Sequence, residues 1–236
     1  MRVLAMGCHP DDVECACGGT VRKYVEQGAE VYTGHVANGC QGHVVIEPGP
    51  LAQIRAAEAE AAGKKLGVKE VFNLDVDDLT VAVHDTAVMD AMADIVRYVR
   101  PDVIITHNPQ DYMRDHEQAS KIVTNGAFCS GISHRPRKYE SFNSFVPVFF
   151  MRPGASMGFQ PSHYVDITAQ ESWKLDAIRC HESQLKWLMD HDNIDFCRSV
   201  EMSDRYRGYQ CGVKYAEGFR PYNVYMRYSA KNLLPD

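Results

Sequence analysis

The chain has no long apolar run, no cluster of basic residues and no C-x-x-C pair, and each absence removes a class of protein. A spanning helix needs roughly 18 apolar residues in succession, and no segment approaches that, in keeping with a mean hydropathy of −0.33. Lys and Arg number 25 against 31 Asp and Glu, a net charge of −6 without a basic stripe, so no nucleic-acid partner is expected. The eight cysteines (Cys8, Cys15, Cys17, Cys40, Cys129, Cys180, Cys197 and Cys211) are scattered through a chain far longer than a stapled mini-domain, and read as free thiols that pack like small hydrophobes. No G-x-G-x-x-G follows the first apolar run, which argues against a dinucleotide dehydrogenase. The opening MRVLAMGCHPDDVECACGG is a poor secretion signal, having one early Arg, a short apolar run and then three acids. The expectation is a cytoplasmic protein acting on a small molecule. No repeat, low-complexity tract or linker interrupts it, so 1–236 is expected to be one domain, and 45% hydrophobic residues suffice for its core.

What the chain does contain is an alternation of short apolar runs with helical patterns. Val3–Cys8 reads as a buried strand, 13–27 as a helix stopped at Gly28, and Glu30–Val36 as a second strand. The alanine-rich 51–66 reads as a helix ended by Gly67, and Val71–Leu74 as a third strand. Residues 86–99 carry an apolar stripe at helical spacing before the strand Asp102–Thr106. A helix at 116–129, strands at 146–150 and 164–167, one long helix over 170–190, another near 196–212 and a loop at 217–222 complete the expectation. Alternation of this kind implies an α/β fold, a Rossmann-like three-layer αβα arrangement with a mostly parallel sheet.

In such a sheet, ligands bind beyond the carboxyl ends of the strands. Two polar clusters lie there: His9-Pro10-Asp11-Asp12 after the first strand, and His107 to His116 after the fourth. Two imidazoles and one carboxylate make a three-ligand site with an open position, the arrangement of catalytic zinc. A second carboxylate beside the metal is then the natural general base, and adjacent Asp11 and Asp12 suit that division because neighbouring side chains point different ways. Taken alone, His-Pro-Asp-Asp is equally a turn whose Asp caps the next helix. A histidine-carboxylate set can also hold iron, but no cosubstrate motif supports that here. The continuation Glu14, Gly18, Gly19, Thr20 adds weight, since paired glycines inside a helix cost about 1 kcal/mol each and suggest close packing beside the site.

HPDDVECACGGT resembles the amino-terminal signature of the LmbE-like, or PIG-L, zinc-dependent de-N-acetylases, and DYMRDH resembles their second metal motif. Supporting positions are Asn38-Gly39 with Gly42, Arg55 with Glu58 and Ala59, Leu66-Gly67-Val68, Asp166-Ile167-Thr168, and Lys174, Ala177, His181, Ser183 and Gln184. The resemblance implies Zn2+ on His9, Asp12 and His116, Asp11 as general base, and hydrolysis of an acetamido group, commonly on an N-acetylglucosamine conjugate. It also implies a homo-oligomer.

One departure stands out. Many members read Asp-x-His-x-Asp-His, whereas this chain reads Asp111-Tyr112-Met113-Arg114-Asp115-His116, and Met113 gives no proton or strong hydrogen bond. Losing an oxyanion donor costs about 10²–10³ in turnover unless it is replaced. Tyr112, His35, His43, His107 and Arg55 are candidate replacements. The alternative is a different reaction on the same metal, a zinc-dependent hydratase or lyase acting on an unsaturated carboxylic acid. Arg55 is a candidate for binding a substrate phosphate or carboxylate, against the plainer reading of a helix residue paired with Glu58, and Tyr112 is a candidate substrate contact. Tyr206, Tyr209, Tyr215, Phe219 and Tyr222 offer a sugar-stacking wall or else core. Loops near 40–50, 130–145 and 150–162 are expected to shape the pocket.

Overall fold

The computed structural model describes residues 1–136, 138–143, 145–227 and 232–236. In chain order the elements are β1 (Arg2–Gly7), α1 (Asp12–Glu26), β2 (Glu30–Ala37), α2 (Pro48–Leu66), β3 (Glu70–Val76), α3 (Thr86–Val99), β4 (Val103–His107), α4 (Arg114–Cys129), β5 (Val148–Met151), β6 (His163–Asp166), α5 (Glu171–Ile178), α6 (Glu182–Asp192), α7 (Phe196–Cys211) and β7 (Ala216–Pro221). The seven-stranded sheet has the order β3-β2-β1-β4-β5-β7-β6. The first five of these strands are parallel, and β7 runs antiparallel to both β5 and β6.

Three layers follow from side-chain alternation along the central strands. Val3 and Ala5 of β1, with Val103 and Ile105 of β4, pack beneath α1 and α2 in a core that includes Val13, Tyr24, Ala62 and Leu66. Leu4, Met6 and Ile104 face the other way, onto Met92 and Val96 of α3 and Ile122 and Val123 of α4. With both faces covered, β1 and β4 must be apolar throughout, which is why each reads as a continuous buried run. The winding direction changes between β1 and β4, so the strand ends there open into a crevice. Among the described residues, no helix is long and apolar enough to cross a membrane.

Two expectations are corrected. The segment expected as a loop at 217–222 is strand β7, disguised by Gly218, Pro221 and two charges. Its Glu217 is buried because it serves a special partner. Helix α1 is kinked at Cys17 (φ −148°, ψ 18°), and beyond the kink the Gly19 and Thr20 N–H groups donate to the two Glu217 carboxylate oxygens at 3.0 and 2.7 Å. The single helix expected over 170–190 is two. The end of α5 tightens as Cys180 N bonds Ala177 O and His181 N bonds Ile178 O, both three residues back, and α6 starts afresh from His181. Close packing at the paired glycines is real but directed elsewhere: a Cβ on Gly19 would lie 2.8 Å from Ile167 after β6, and one on Gly18 would lie 3.3 Å from Lys174 of α5.

Candidate metal centre

The loop leaving β1 is built around Asp12. Its Oδ2 accepts from the backbone N–H groups of Cys8 at 2.9 Å and His9 at 2.6 Å, folding the His9 loop back over the first turn of α1. Asp11 occupies the cap position with φ 127°, backbone that a side chain adopts only under strain. Its side chain makes no capping bond, so the strained Asp faces the crevice instead of serving the helix.

Ligand atoms of three residues converge at the crevice. His9 Nδ1 and His116 Nε2 are 3.3 Å apart, His9 Nδ1 is 3.7 Å from Asp12 Oδ2, and His116 Nε2 is 3.5 Å from Asp12 Oδ1. Ligands about 2.1 Å from a tetrahedral zinc ion stand about 3.4 Å from one another. The outer nitrogens of both rings meet carboxylates: His116 Nδ1 faces Asp111 Oδ2 at 3.1 Å, and His9 Nε2 faces Asp115 Oδ2 at 3.5 Å and Asp78 Oδ1 at 3.9 Å. A carboxylate at the outer nitrogen fixes the tautomer and aims the lone pair inward. Burial opposes charge on His116, but Asp12 and Asp111 overcome it and raise its pKa, so the cluster already favours a positive charge at its centre.

Two other trios come close, Cys8 with His9 and Asp115, and His107 with Asp111 and His116. Burial pushes the Cys8 thiol up to about 12, and neither Cys8 nor Asp115 borders the main cavity. His107 is held neutral by burial and by the charge of His116, and its Nε2 is already placed between Cys8 N at 2.9 Å and Asp12 Oδ2 at 3.0 Å. His9, Asp12 and His116 form the trio whose members all line the main cavity, a space of about 1070 Å³. The donor set and its spacing fit zinc.

Asp11 lies beside this trio on the cavity wall. Burial pushes its carboxyl up to about 6, against the opposing pull of Arg55 and with the added push of Asp12. That value suits a group that must take a proton near neutrality and give it up again.

Residues 4–127, more than half of the 236, match the PIG-L family, described as GlcNAc-PI de-N-acetylase. The chain belongs to this family. It is 26% identical over 224 residues to the diacetylchitobiose deacetylase of Thermococcus kodakarensis, covering 93% of this chain and 82% of the relative. The structure of N,N'-diacetylchitobiose deacetylase from Pyrococcus horikoshii superposes with a TM-score of 0.79 at 25% identity, covering 93% of this chain and 83% of that one. The 4-carboxy-2-hydroxymuconate hydratase of Pseudomonas putida shares the fold, with a TM-score of 0.83 at 21% identity over 98% of this chain and 99% of its own.

The remaining candidates of this PIG-L chain fall into place around the centre. Arg55, expected to bind a substrate anion, is only 3% exposed, and its donors go to Asp11 Oδ2 at 3.0 Å, Pro10 O at 2.6 Å and Gly39 O at 3.3 Å. The plainer pairing with Glu58 does not form either, because Glu58 accepts from the backbone N–H and hydroxyl of Ser183, both at 2.7 Å. Tyr112 is 78% exposed at the cavity mouth, its ring edge-on to His116 with centroids 6.3 Å apart. Met113 lines the cavity beside it. His35 lies behind Asp11, neutral because burial pulls its pKa to about 4, and His43 accepts from Val45 N and Ile46 N at 3.0 and 3.1 Å, so neither borders the cavity. Of the aromatics, Tyr206 lines the cavity, whereas Tyr215 and Phe219 are core.

Two features could not be read from the chain. The loops expected near 40–50 and 150–162 do line the cavity, through Gln41, Gly42 and residues of 152–160, but no described residue of 130–145 borders it, and α6 and α7 complete the far wall in its place. Asp111 and Asp115, whose role depends on which ring nitrogen they face, carried no signal beyond their place in the motif.

Proposed function

We propose that the protein is a zinc-dependent hydrolase that removes the acetyl group from an N-acetylated amino-sugar conjugate. The reading rests on one observation: the inward atoms of His9, Asp12 and His116 meet on a cavity wall that also carries the perturbed carboxyl of Asp11. His9, Asp12 and His116 would hold the ion. Bound there, zinc supplies Lewis acidity and brings the pKa of water from about 15.7 towards about 7.

The chain's own groups then divide the work. Arg55 holds Asp11 Oδ2, leaving Oδ1 to take the proton of the attacking water and to return it to the departing amine nitrogen. Asp111 and Asp115 keep the two imidazoles oriented. Tyr112 stands where it contacts substrate at the mouth, and acetate and an amine leave. The hydratase reading ranks second, because the hydratases are less identical to this chain in sequence than the diacetylchitobiose deacetylases are.

Acetate release from a panel of N-acetyl amino sugars tests the proposal. Release that needs zinc, stops on chelation and is lost in Asp11→Asn is expected. A zinc-loaded protein that releases no acetate, while bleaching the ultraviolet band of a conjugated enoic acid, would replace deacetylation with hydration. We further propose that 1–236 works as one unit, in the cytoplasm and as a homo-oligomer. Light scattering of the purified protein at monomer mass would contradict the last of these.

A further inference from the structure

The far wall of the cavity holds two buried arginines without an acidic partner. Arg152, just after β5, is 8% exposed; its Nη2 donates to the Cys15 carbonyl at 2.8 Å and its Nε has no partner. Arg207, on α7, is 2% exposed; Nη1 donates to Gln210 Oε1 at 2.7 Å, Nη2 donates to Phe159 O at 3.0 Å, and its Nε is again unpartnered. Among the described residues, no carboxylate lies within 4.0 Å of either guanidinium.

Nearby acids are already engaged. Asp204, which senses Arg152 electrostatically, is ion-paired to the fully buried Lys174 at 2.5 Å, and Glu217 pairs with the same lysine at 2.7 Å while accepting from Gly19 and Thr20. Burial pushes Glu171 up to about 8, which disfavours its charged form. Asp204 and Glu217 are thus both taken up by Lys174, and a buried charge without an ionic partner is strongly destabilising.

Both arginines line the cavity that holds His9, Asp11, Asp12 and His116, and Arg152 grips the carbonyl of Cys15, one helical turn after Asp11. We propose that Arg152 and Arg207 form an oxyanion subsite, so that the substrate carries a carboxylate or phosphate on the part remote from its acetamido group. A planar guanidinium suits either anion, and the buried Phe159, whose ring lies beside the Arg207 guanidinium, strengthens such a pair by lowering the local dielectric. The inference rests on the deacetylase reading for the acetamido end alone.

Calorimetry of the zinc-loaded protein with amine products tests it without turnover. The probes are the carboxymethyl glycoside of glucosamine against its neutral carbamoylmethyl analogue, and glucosamine 1-phosphate against methyl glucosaminide. At least one anionic member should bind about tenfold more tightly than its neutral counterpart, as expected for one charge-assisted contact. The tighter pair names the anion. That preference should fall to within about twofold in Arg152→Met and be largely kept in Arg152→Lys. Equal affinity within both pairs, no measurable binding of either anion, or a preference that survives in Arg152→Met overturns the subsite. A preserved preference in a protein that releases no acetate would sink only the deacetylase reading.

Discussion

Replacing Asp111 with Asn removes a charge behind His116 and disturbs little else. Asp111 Oδ2 is 3.1 Å from His116 Nδ1, while Oδ1 accepts Met113 N at 3.1 Å where α4 begins. Burial alone would raise this carboxyl, yet the bond to His116 and the charge of that ring hold it below its ordinary value, so it is ionised at neutral pH. Asn keeps only one of the two oxygens, so whichever way its amide turns, either His116 Nδ1 or Met113 N is left facing an NH2 group. Either way a charge-assisted hydrogen bond is lost, worth about 1.5–3 kcal/mol, and partners behind a metal-binding histidine typically control about 10–100-fold in metal affinity. Competition against a chromophoric chelator at neutral pH should show zinc Kd weakened by about 10–100-fold, with one ion still bound per chain. Asp115→Asn should weaken zinc less through His9, whose contact is longer at 3.5 Å. An Asp111→Asn protein with the zinc affinity of the parent would refute the claim that His116 is a ligand through Nε2.

Other expectations follow from the same geometry. Asp11→Asn should lower kcat by about 10²–10⁴ while zinc stays bound, read by turnover beside metal analysis. Arg55→Met removes the cation that favours ionised Asp11, so a carboxyl already pushed up to about 6 rises further. The acid limb of kcat/KM should then move to higher pH, with more activity lost near pH 6 than near pH 8, and an unmoved limb would contradict the pairing. Met113→His restores a donor beside the metal and should raise turnover of acetamides by up to about 10²-fold. Lys174→Met strands Asp204 and Glu217 in the interior and should cost about 3–5 kcal/mol in urea unfolding, a loss below about 1 kcal/mol being incompatible with the buried network.

The parallel half of the fold was legible because its strands are apolar on both faces and its helices end at glycines such as Gly67, whose φ of 84° is costly for other residues. β7 was not, because its burial depends on Glu217 finding the kinked turn of α1, a contact between residues far apart in sequence. The same holds for the break before α6, which propensity does not mark. At the site, His9, Asp11, Asp12 and His116 stood out because two strand ends carry them, and the structure brings all four to one cavity. The bond from Arg55 to Asp11 was not legible for a simple reason: helix neighbours such as Glu58 were visible in the chain, whereas Asp11, across the crevice, was not.

Anomalous diffraction at the zinc edge from zinc-loaded crystals tests the central claim most directly. One ion within about 2.0–2.2 Å of His9 Nδ1, His116 Nε2 and an Asp12 oxygen is predicted. An ion seated instead on Cys8 and Asp115, or on His107 and Asp111, would contradict it.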